Sequence, residues 1–338
     1  MRYAFWNNKG GTGKTSLAFQ AICRYAQLHM DERILAVDVC PQANLSELFL
    51  GGLTGGGSQK LLQQQGLAPR RSIGGYFQLR LPSPFGPPRF TATDFLTHPF
   101  DFNKNIPDNI DLLAGDPLLE LQANAINTLS NTQVPGTNTW IAVVDWLKDF
   151  LDQIGSDYDM IFIDCNPSFS IYTQIALSTA ERLVLPVMAD DSSKRAIQNA
   201  LSLIYGLRLP SDIYASYAFN TKLAAASRTL PQVHLIAENR LTQYMVTASA
   251  YRAVLDAIEK DIAGLLRAHP TLFTFSQISD GLVEIRDFQT TGVVAFARGC
   301  PFSILQAGRQ IVGGQRVRVN EDYRLNCVKA LDALTAKL

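Results

Sequence analysis

The sequence of 338 residues lacks a long hydrophobic run, an apolar leader and an excess of charge of either sign. Because no stretch of about 18 apolar residues occurs, we expect no membrane-spanning helix. The first residues, MRYAFWNNKGG, do not contain the apolar core of a signal peptide. Lys plus Arg and Asp plus Glu both total 30, which excludes a strongly basic protein and leaves only local patches for nucleic acid.

Cysteine is scarce and scattered. The five cysteines contain no C-x-x-C pair and stand at Cys23, Cys40, Cys165, Cys300 and Cys327. Such an odd, dispersed set argues against a disulfide framework or a thiolate metal site and favours a reducing compartment. We therefore expect a cytoplasmic protein, and its 47% apolar composition suffices for a large core.

Short apolar runs alternate with segments of helical periodicity. The runs predict strands at residues 2–6, 34–38, 110–113, 158–164, 182–187 and 234–237, and the periodic segments predict helices at 14–29, 140–154, 194–205 and 248–268. Continuous apolar runs are typical of parallel strands that are covered on both faces. The alternation predicts an α/β fold, with a mostly parallel sheet and helices on both faces, in a single domain over residues 1–338.

Residues 51–109 differ in composition from the rest of the chain. Glycines cluster at 51–57 and prolines at 82–88, and no polar linker accompanies the change. We expect a loop-rich excursion on the surface and not a separate domain. Its unusual composition suggests a role in partner specificity.

A glycine-rich turn connects the first predicted strand to the first predicted helix. Residues 9–15 read KGGTGKT, with Asn8 where the strict phosphate-loop pattern has its first glycine. Glycines let several backbone N–H groups point at one anion, and the start of the helix adds its dipole. We expect Lys14 to reach the β- and γ-phosphates and Thr15 to ligate Mg²⁺. A surface loop without a ligand is the alternative.

The turn resembles that of the ParA/MinD family of deviant Walker ATPases, whose mark is K-G-G-x-G-K-T. Residues 38–46, DVCPQANLS, resemble the family's D-x-D-P-Q-x-N-x-S segment, and residues 158–168, YDMIFIDCNPS, resemble its Walker B segment. Residues 297–301, ARGCP, resemble its C-terminal segment. The Pro-Gln pair places the chain nearer ParA than MinD. The resemblance covers about 200 residues in order and spacing and implies a P-loop NTPase-type fold. Residues 52–109 and 206–232 carry no clear match to the family.

The resemblance also implies a site for ATP or ADP with Mg²⁺. The nucleotide would contact Gly10, Gly11, Thr12, Gly13, Lys14, Thr15, Ser16 and, through adenine, Asn239. The metal would lie near Thr15, Asp38 and Asp164. Helix caps are the alternative for the two carboxylates, and a plain turn is the alternative for Asn239.

Dimerisation is the second implication of the resemblance. Two ATP-bound subunits would pack face to face, and Lys9 of each would cross to the other subunit's phosphates. A second positive charge there stabilises the transition state of phosphoryl transfer, as an arginine finger does. Lys9, Lys14 and Asp38 would then be the catalytic residues.

Cys40 departs from the family pattern, because it stands in place of the second acid of D-x-D-P-Q. In the family that acid helps to position the attacking water, whereas a thiol with a pKa of about 8.5 is mostly neutral at pH 7. We expect a slow ATPase with a long-lived ATP dimer. Asp190 or Asp191 could substitute for the missing acid, or the cysteine could be an engineered change.

Two segments, residues 60–104 and 286–338, each carry four more basic than acidic residues. The resemblance implies that an ATP-bound dimer binds DNA without sequence preference, and Arg309, Arg316 and Arg318 are the first candidates for that surface. A solvated basic face is the alternative. The last predicted helix has only Lys329 and Lys337 as cations on its apolar pattern, so we expect it to dock on the sheet and not on a membrane.

The function that these features predict is a ParA-like ATPase that partitions or positions a cargo, such as a plasmid, a chromosome or a protein complex. An unidentified partner protein would stimulate hydrolysis, and the ATP form would associate with the nucleoid. A nucleotide-dependent switch with negligible hydrolysis is the main alternative. A MinD-like membrane-associated ATPase and a small-molecule ligase or carrier of the same fold are the others.

Overall fold

A computed structural model describes residues 1–188, 190–241 and 249–338, without the side chains of residues 191, 192, 240, 241 and 249–252. Within these residues, seven strands form the main sheet: β1 (Arg2–Phe5), β2 (Ile34–Val39), β3 (Ile110–Leu113), β4 (Met160–Cys165), β5 (Arg182–Met188), β6 (Gln232–Leu241) and β7 (Leu282–Arg286). Their order is β3-β2-β4-β1-β5-β6-β7, and every neighbouring pair is parallel. The carboxyl ends of these strands therefore meet at one edge, where ligands of open α/β sheets bind.

Helices cover both faces of this sheet. In chain order they are α1 (Lys14–Leu28), α2 (Asn44–Phe49), α3 (Gly57–Gln65), α4 (Ile73–Arg80), α5 (Leu118–Asn131), α6 (Thr139–Val144), α7 (Trp146–Ile154), α8 (Ile171–Thr179), α9 (Asp191–Tyr205), α10 (Asp212–Ala215), α11 (Phe219–Ala225), α12 (Ser249–Ala268), α13 (Ile278–Gly281), α14 (Gln289–Arg298) and α15 (Glu321–Thr335). Short 3₁₀ helices occur at Ala92–Phe95, Pro99–Asp101 and Pro270–Leu272.

The core consists of two hydrophobic clusters, one on each face of the sheet. Alternate residues of β1 illustrate the division, because successive side chains of a strand point to opposite faces. Ala4, together with Trp6 directly after the strand, belongs to the cluster that includes residues of α4 to α9, whereas Tyr3 and Phe5 belong to the cluster that includes residues of α1, α14 and α15. The predicted P-loop NTPase-type fold class, with a parallel sheet between helical layers, is confirmed.

The expectation for residues 51–109 is wrong in part. The segment contains α3, α4 and two 3₁₀ helices, which are joined by turns and by the irregular proline-rich stretch at 82–91. Tyr76 and Phe77 of α4 are fully buried, and Arg80 of the same helix donates to Asp149 at 2.5 Å. The segment is a structural part of the fold because it contributes Tyr76 and Phe77 to one core cluster and Leu61 and Ile106 to the other. That the whole chain forms a single domain remains a prediction.

A two-stranded hairpin lies outside the main sheet. It consists of β8 (Gly308–Val312) and β9 (Gln315–Val319), which pair antiparallel. Helix α15 follows it and packs against β7 and α1, with Cys327, Leu331 and Leu334 buried. Among the residues that the structure describes, no helix is both long enough and apolar enough to span a membrane.

Candidate functional site

The glycine-rich turn leaves the carboxyl end of β1, the strand between β4 and β5. Gly11 and Gly13 have left-handed backbone, with φ of 74° and 76°, and Gly13 is the N-terminal cap of α1. Side chains rarely adopt this conformation, which is why glycine suits both positions. The turn thus places its backbone at the start of a helix of 15 residues, where the helix dipole favours an anion.

Lys14 lies folded over this turn. Its side chain is buried, and its Nζ donates a hydrogen bond to the carbonyl oxygen of Lys9 at 3.0 Å. Burial lowers the pKa of Lys14, and the nearby Asp164 carboxylate only partly opposes this effect. A buried cation held by a single backbone carbonyl is well placed to exchange that contact for an anionic ligand.

Two carboxylates stand side by side at the ends of β2 and β4. Asp38 and Asp164 are partners in the strand register, and both are buried. Asp38 accepts hydrogen bonds from Cys40 N at 3.1 Å and from Ser46 N and Oγ at 3.0 and 2.8 Å. Burial raises the pKa of both carboxyl groups, and the neighbouring charge of Asp38 raises that of Asp164 further. The pair is therefore costly to keep fully ionised without a cation.

Asp164 differs from Asp38 in how many of its carboxylate oxygens accept hydrogen bonds. The Thr15 hydroxyl is hydrogen-bonded to the Asp164 carboxylate, yet Oδ1 of Asp164 is buried without a hydrogen-bond partner among the described residues. A carboxylate oxygen and a hydroxyl are the hard oxygen ligands that Mg²⁺ prefers. Thr15 and Asp164 thus fit a magnesium ion, whereas both oxygens of Asp38 are already engaged at the start of α2. The metal roles of all three residues remain predictions.

Lys9 is held within its own chain. Its Nζ lies 2.5 Å from Oδ2 of Asp190 and 3.4 Å from Oγ of Ser193. Asp190 also caps α9, since its Oδ1 accepts from Ser193 N at 2.8 Å. The predicted contact of Lys9 with a second subunit is not tested by this arrangement. The side chain of Asp191, the other proposed substitute acid, lies outside the described residues.

Cys40 is buried beside the two carboxylates. Its thiol donates a hydrogen bond to Oε1 of Gln42 at 3.1 Å, and its Sγ accepts one from Nδ2 of Asn166 at 3.7 Å. Burial, with a contribution from the charge of Asp38, raises the pKa of Cys40 to about 12. The thiol is therefore neutral at physiological pH and cannot act as a general base there.

A cavity of about 230 Å³ opens beside the first turn of α1. Asn239 lines it and donates Nδ2 to the Thr12 carbonyl at 2.8 Å, so this amide supports the turn. The predicted contact between Asn239 and adenine therefore remains a prediction. Three residues of the lining, Gly13, Ser16 and Asn239, were predicted from the sequence. The others were not: Asp287, Phe288, Gln289, Gly292, Val293 and Phe296. Five of these lie in or next to α14, and the strand before that helix, β7, was not predicted either.

The three candidate DNA-binding arginines lie on the hairpin. Arg309 is directly opposite Arg318, and Arg316 is opposite Ile311, and all four side chains are exposed. Helix α14 packs against both β8 and β9 and also lines the cavity beside the glycine turn. One helix thus adjoins both candidate surfaces.

Comparisons with known proteins agree with this architecture. A family model described as "AAA domain" matches residues 96–211. The chromosome-partitioning ATPase Soj of Thermus thermophilus is 27% identical over 207 residues, and the match spans 61% of this chain and 62% of Soj. The resemblance to the ParA/MinD family is confirmed.

Solved structures share this fold over nearly the whole chain. The ATP complex of a Cyanothece McdA variant is 15% identical, with a TM-score of 0.60, covering 99% of this chain and 95% of McdA. A plasmid partition protein of Borrelia burgdorferi bound to AMPPNP is 14% identical, with a TM-score of 0.55, covering 100% and 98% of the two chains. Identities this low establish the fold and leave the function to be argued from the site.

Proposed function

We propose that the chain binds ATP with Mg²⁺ at the glycine turn. The observation that carries the proposal is the buried Oδ1 of Asp164, which has no hydrogen-bond partner among the described residues, next to the Thr15 hydroxyl at the start of α1. Backbone N–H groups of residues 10–16 would bind the phosphates, and Lys14 would exchange the Lys9 carbonyl for a phosphate oxygen. Bound Mg²⁺ would neutralise the charge on the phosphates and on the two carboxylates.

The base would occupy the cavity beside α1. Its lining combines the Asn239 amide with the aromatic side chains of Phe288 and Phe296, which suits a flat ring with polar edges. The McdA and Borrelia proteins, which share the fold, bind ATP and AMPPNP respectively, and both ligands carry adenine. Specificity for adenine over guanine is part of the proposal.

ATP binding is proposed to bring two copies together through the face that carries the glycine turn. Lys9 would then leave Asp190 and reach the phosphates bound by the partner copy, where its charge favours phosphoryl transfer. Hydrolysis would be slow, because the neutral thiol of Cys40 cannot orient or deprotonate water as a carboxylate would. A partner protein would stimulate the reaction.

The proposed output is non-specific binding to DNA by the ATP-bound dimer. Two subunits would present six hairpin arginines. Because the subunits are linked in one dimer, their individually weak phosphate contacts would together give measurable affinity for DNA. Hydrolysis would release the protein from the nucleoid, so that a plasmid, chromosome or protein complex is positioned in the cell. The similarity to Soj, whose name describes it as a chromosome-partitioning ATPase, supports this role. Residues 1–338 would act as one domain.

A nucleotide-dependent switch is the second candidate, and the buried Cys40 favours it. If the thiol removes nearly all hydrolysis, exchange of nucleotide and not turnover would control the dimer. The two candidates share the ATP site and differ in the rate of phosphate release.

The experiment that tests the proposal measures ATP binding and self-association in the same samples. Mg²⁺-dependent binding of a fluorescent ATP analogue is expected for the wild type and for Lys9→Ala, and is expected to be lost in Lys14→Ala. Sedimentation velocity is expected to show an ATP-dependent dimer for the wild type and not for Lys9→Ala or Lys14→Ala. Lys148→Ala, at a half-buried lysine paired with Asp152, is the matched control and should behave as the wild type. Nucleotide binding that survives Lys14→Ala would contradict the proposed site.

A further inference from the structure

The hairpin β8–β9 presents an unusual set of side chains on its exposed face. Arg309 and Arg318 face each other at the base, and Ile311 and Arg316 face each other nearer the tip. Directly opposed residues of an antiparallel pair have Cβ atoms about 5 Å apart. The ribbon therefore carries three guanidinium groups around one apolar side chain, and Ile311 is 64% exposed.

This arrangement destabilises the hairpin by itself. Like charges directly opposite each other on a strand pair repel, and the segment 306–320 contains no acidic residue. In the part of the chain that the structure describes, none of the three arginines has an ion-pair partner within 4 Å. A ligand that supplies negative charge on both sides of the ribbon would remove the repulsion.

The opposite face fixes the ribbon to the body of the protein. Val319 and Gln310 are buried, and Val312 and Val317 pack against the cluster that contains α1 and α14. The tip is Gly313-Gly314 with φ of 56° and 79°, the geometry of a tight hairpin turn that glycine favours. A side-chain-free tip and an anchored base make a narrow, rigid ribbon with one face directed to solvent.

We propose that this face lies in the major groove of double-stranded DNA, with Arg309 and Arg318 on phosphates and Ile311 and Arg316 on base edges. The proposal rests on the DNA binding proposed above and goes beyond it, because it assigns contact with bases. The major groove of B-DNA, about 12 Å wide, admits a two-stranded ribbon. An apolar side chain there contacts the C5-methyl group of thymine.

Two other partners fit the ribbon less well. The major groove of duplex RNA is deep and narrow, so its base edges are out of reach of such a ribbon. A membrane surface requires a broad apolar face with large side chains, whereas this face offers one isoleucine among three arginines. Binding that is otherwise independent of sequence should therefore be biased toward thymine-containing duplexes.

The test compares duplexes of one sequence in which thymine is kept or replaced by uracil, which removes only the methyl group. Fluorescence anisotropy is recorded with ATP and Mg²⁺ for the wild type, Ile311→Ala and Arg318→Gln. Ile304→Ala, an isoleucine 49% exposed outside the hairpin, is the matched control. The slope of log K against log salt, measured for each variant, gives the number of phosphate contacts.

For the wild type and Ile304→Ala we expect uracil to weaken binding about 3- to 5-fold, the effect of losing about one buried methyl contact. Ile311→Ala should bind both duplexes equally with an unchanged salt dependence. Arg318→Gln should keep the preference for thymine and lower the slope of log K against log salt by about 1 per subunit.

Equal affinity of the wild type for the two duplexes would overturn the groove assignment and leave the proposed DNA-binding function intact. Loss of the preference in Ile304→Ala would overturn it as well. Absence of binding of the wild type to either duplex with ATP and Mg²⁺ would refute both the assignment and the DNA step of the proposed function.

Discussion

At the scale of single residues, burial decides what each polar group of the site can do. The Cys40 thiol is held neutral by burial and by Asp38, whereas the Asp164 carboxylate is kept near a lysine and a threonine hydroxyl. Neither property follows from residue type alone. The sequence motif identifies these residues, and the structure adds their burial and their contacts.

Cys40→Asp is expected to raise ATP turnover. A carboxylate at this position would orient the attacking water, and such help is worth about 10²- to 10⁴-fold in rate. Phosphate release under saturating ATP and Mg²⁺ measures the effect, with Cys40→Ser as the neutral control that should leave the rate nearly unchanged. An unchanged or lower rate in Cys40→Asp would show that another group already positions the water.

Asp164→Asn is expected to stabilise the protein in the absence of nucleotide and metal, at the cost of Mg²⁺-dependent ATP binding. Burial and Asp38 raise the pKa of Asp164, so replacing it with a neutral amide relieves a buried charge. Asp116→Asn is the contrasting control, because Asp116 is equally buried but accepts from Arg70 at 2.5 and 2.9 Å. Thermal unfolding should show a higher midpoint for Asp164→Asn and a lower one for Asp116→Asn. A lower midpoint for both would contradict this account.

At the scale of secondary-structure elements, six of the seven parallel strands were predictable, whereas β7 and α4 were not. Buried strands such as β2 and β4 are apolar at every position before their carboxylate, a pattern that sequence shows directly. The strand β7 alternates buried and exposed residues, and α4 contains Gly74-Gly75, which lowers helix propensity. These elements form because neighbouring helices and strands bury them, and single-sequence periodicity does not contain that information.

Helix α4 provides the clearest test that residues 51–109 are part of the core. Phe77 is fully buried and stacks edge-on against Trp146 at 5.4 Å between ring centroids. Phe77→Ala should lower the free energy of unfolding by about 3–5 kcal/mol because it leaves a cavity. Leu62→Ala on α3, where the side chain is 63% exposed, should cost roughly 0.5 kcal/mol or less. If urea denaturation shows similarly small changes in the free energy of unfolding for both variants, the segment is a surface loop and not part of the core.

His98 makes the stability of the same region depend on pH. Burial lowers the pKa of His98, but hydrogen bonds to Asp108 and Asp111 at 3.0 and 2.9 Å outweigh it, so the net pKa is raised. Because the pKa of His98 is higher in the folded state, protonated His98 stabilises the fold. This stabilisation is fully present below the unfolded-state pKa of about 6.5 and is lost as pH rises through the folded-state pKa. His98→Gln should therefore destabilise the protein more at pH 5.5 than at pH 8.5.

The control for the His98 prediction removes one of its acidic partners. Asp108→Asn, at a position with a 75% exposed side chain, should reduce the pH dependence of the His98→Gln effect when the two changes are combined. Denaturant midpoints at the two pH values provide the measurement. A loss of stability that is equal at both pH values would show that the imidazole acts only through packing.

At the scale of the whole molecule, one edge of the sheet organises the proposed chemistry. The glycine turn, the two carboxylates and Cys40 all lie at the carboxyl ends of β1, β2 and β4. Because these strands are parallel neighbours, positions in the sequence were enough to predict that the four features meet. The positions of the hairpin and of α14 relative to this site could not be predicted from the sequence. Their relation to the site depends on how α14 packs between the cavity and the two strands of the hairpin.

The central claim is that ATP bound at the glycine turn makes the protein bind DNA. Anisotropy of a labelled random-sequence duplex, titrated with protein in ATP, in ADP and without nucleotide at two salt concentrations, tests it most directly. We predict binding with ATP and Mg²⁺ only, weakened steeply at the higher salt because several phosphate contacts are made. Equal binding in all three nucleotide states, or none in any of them, would contradict the account.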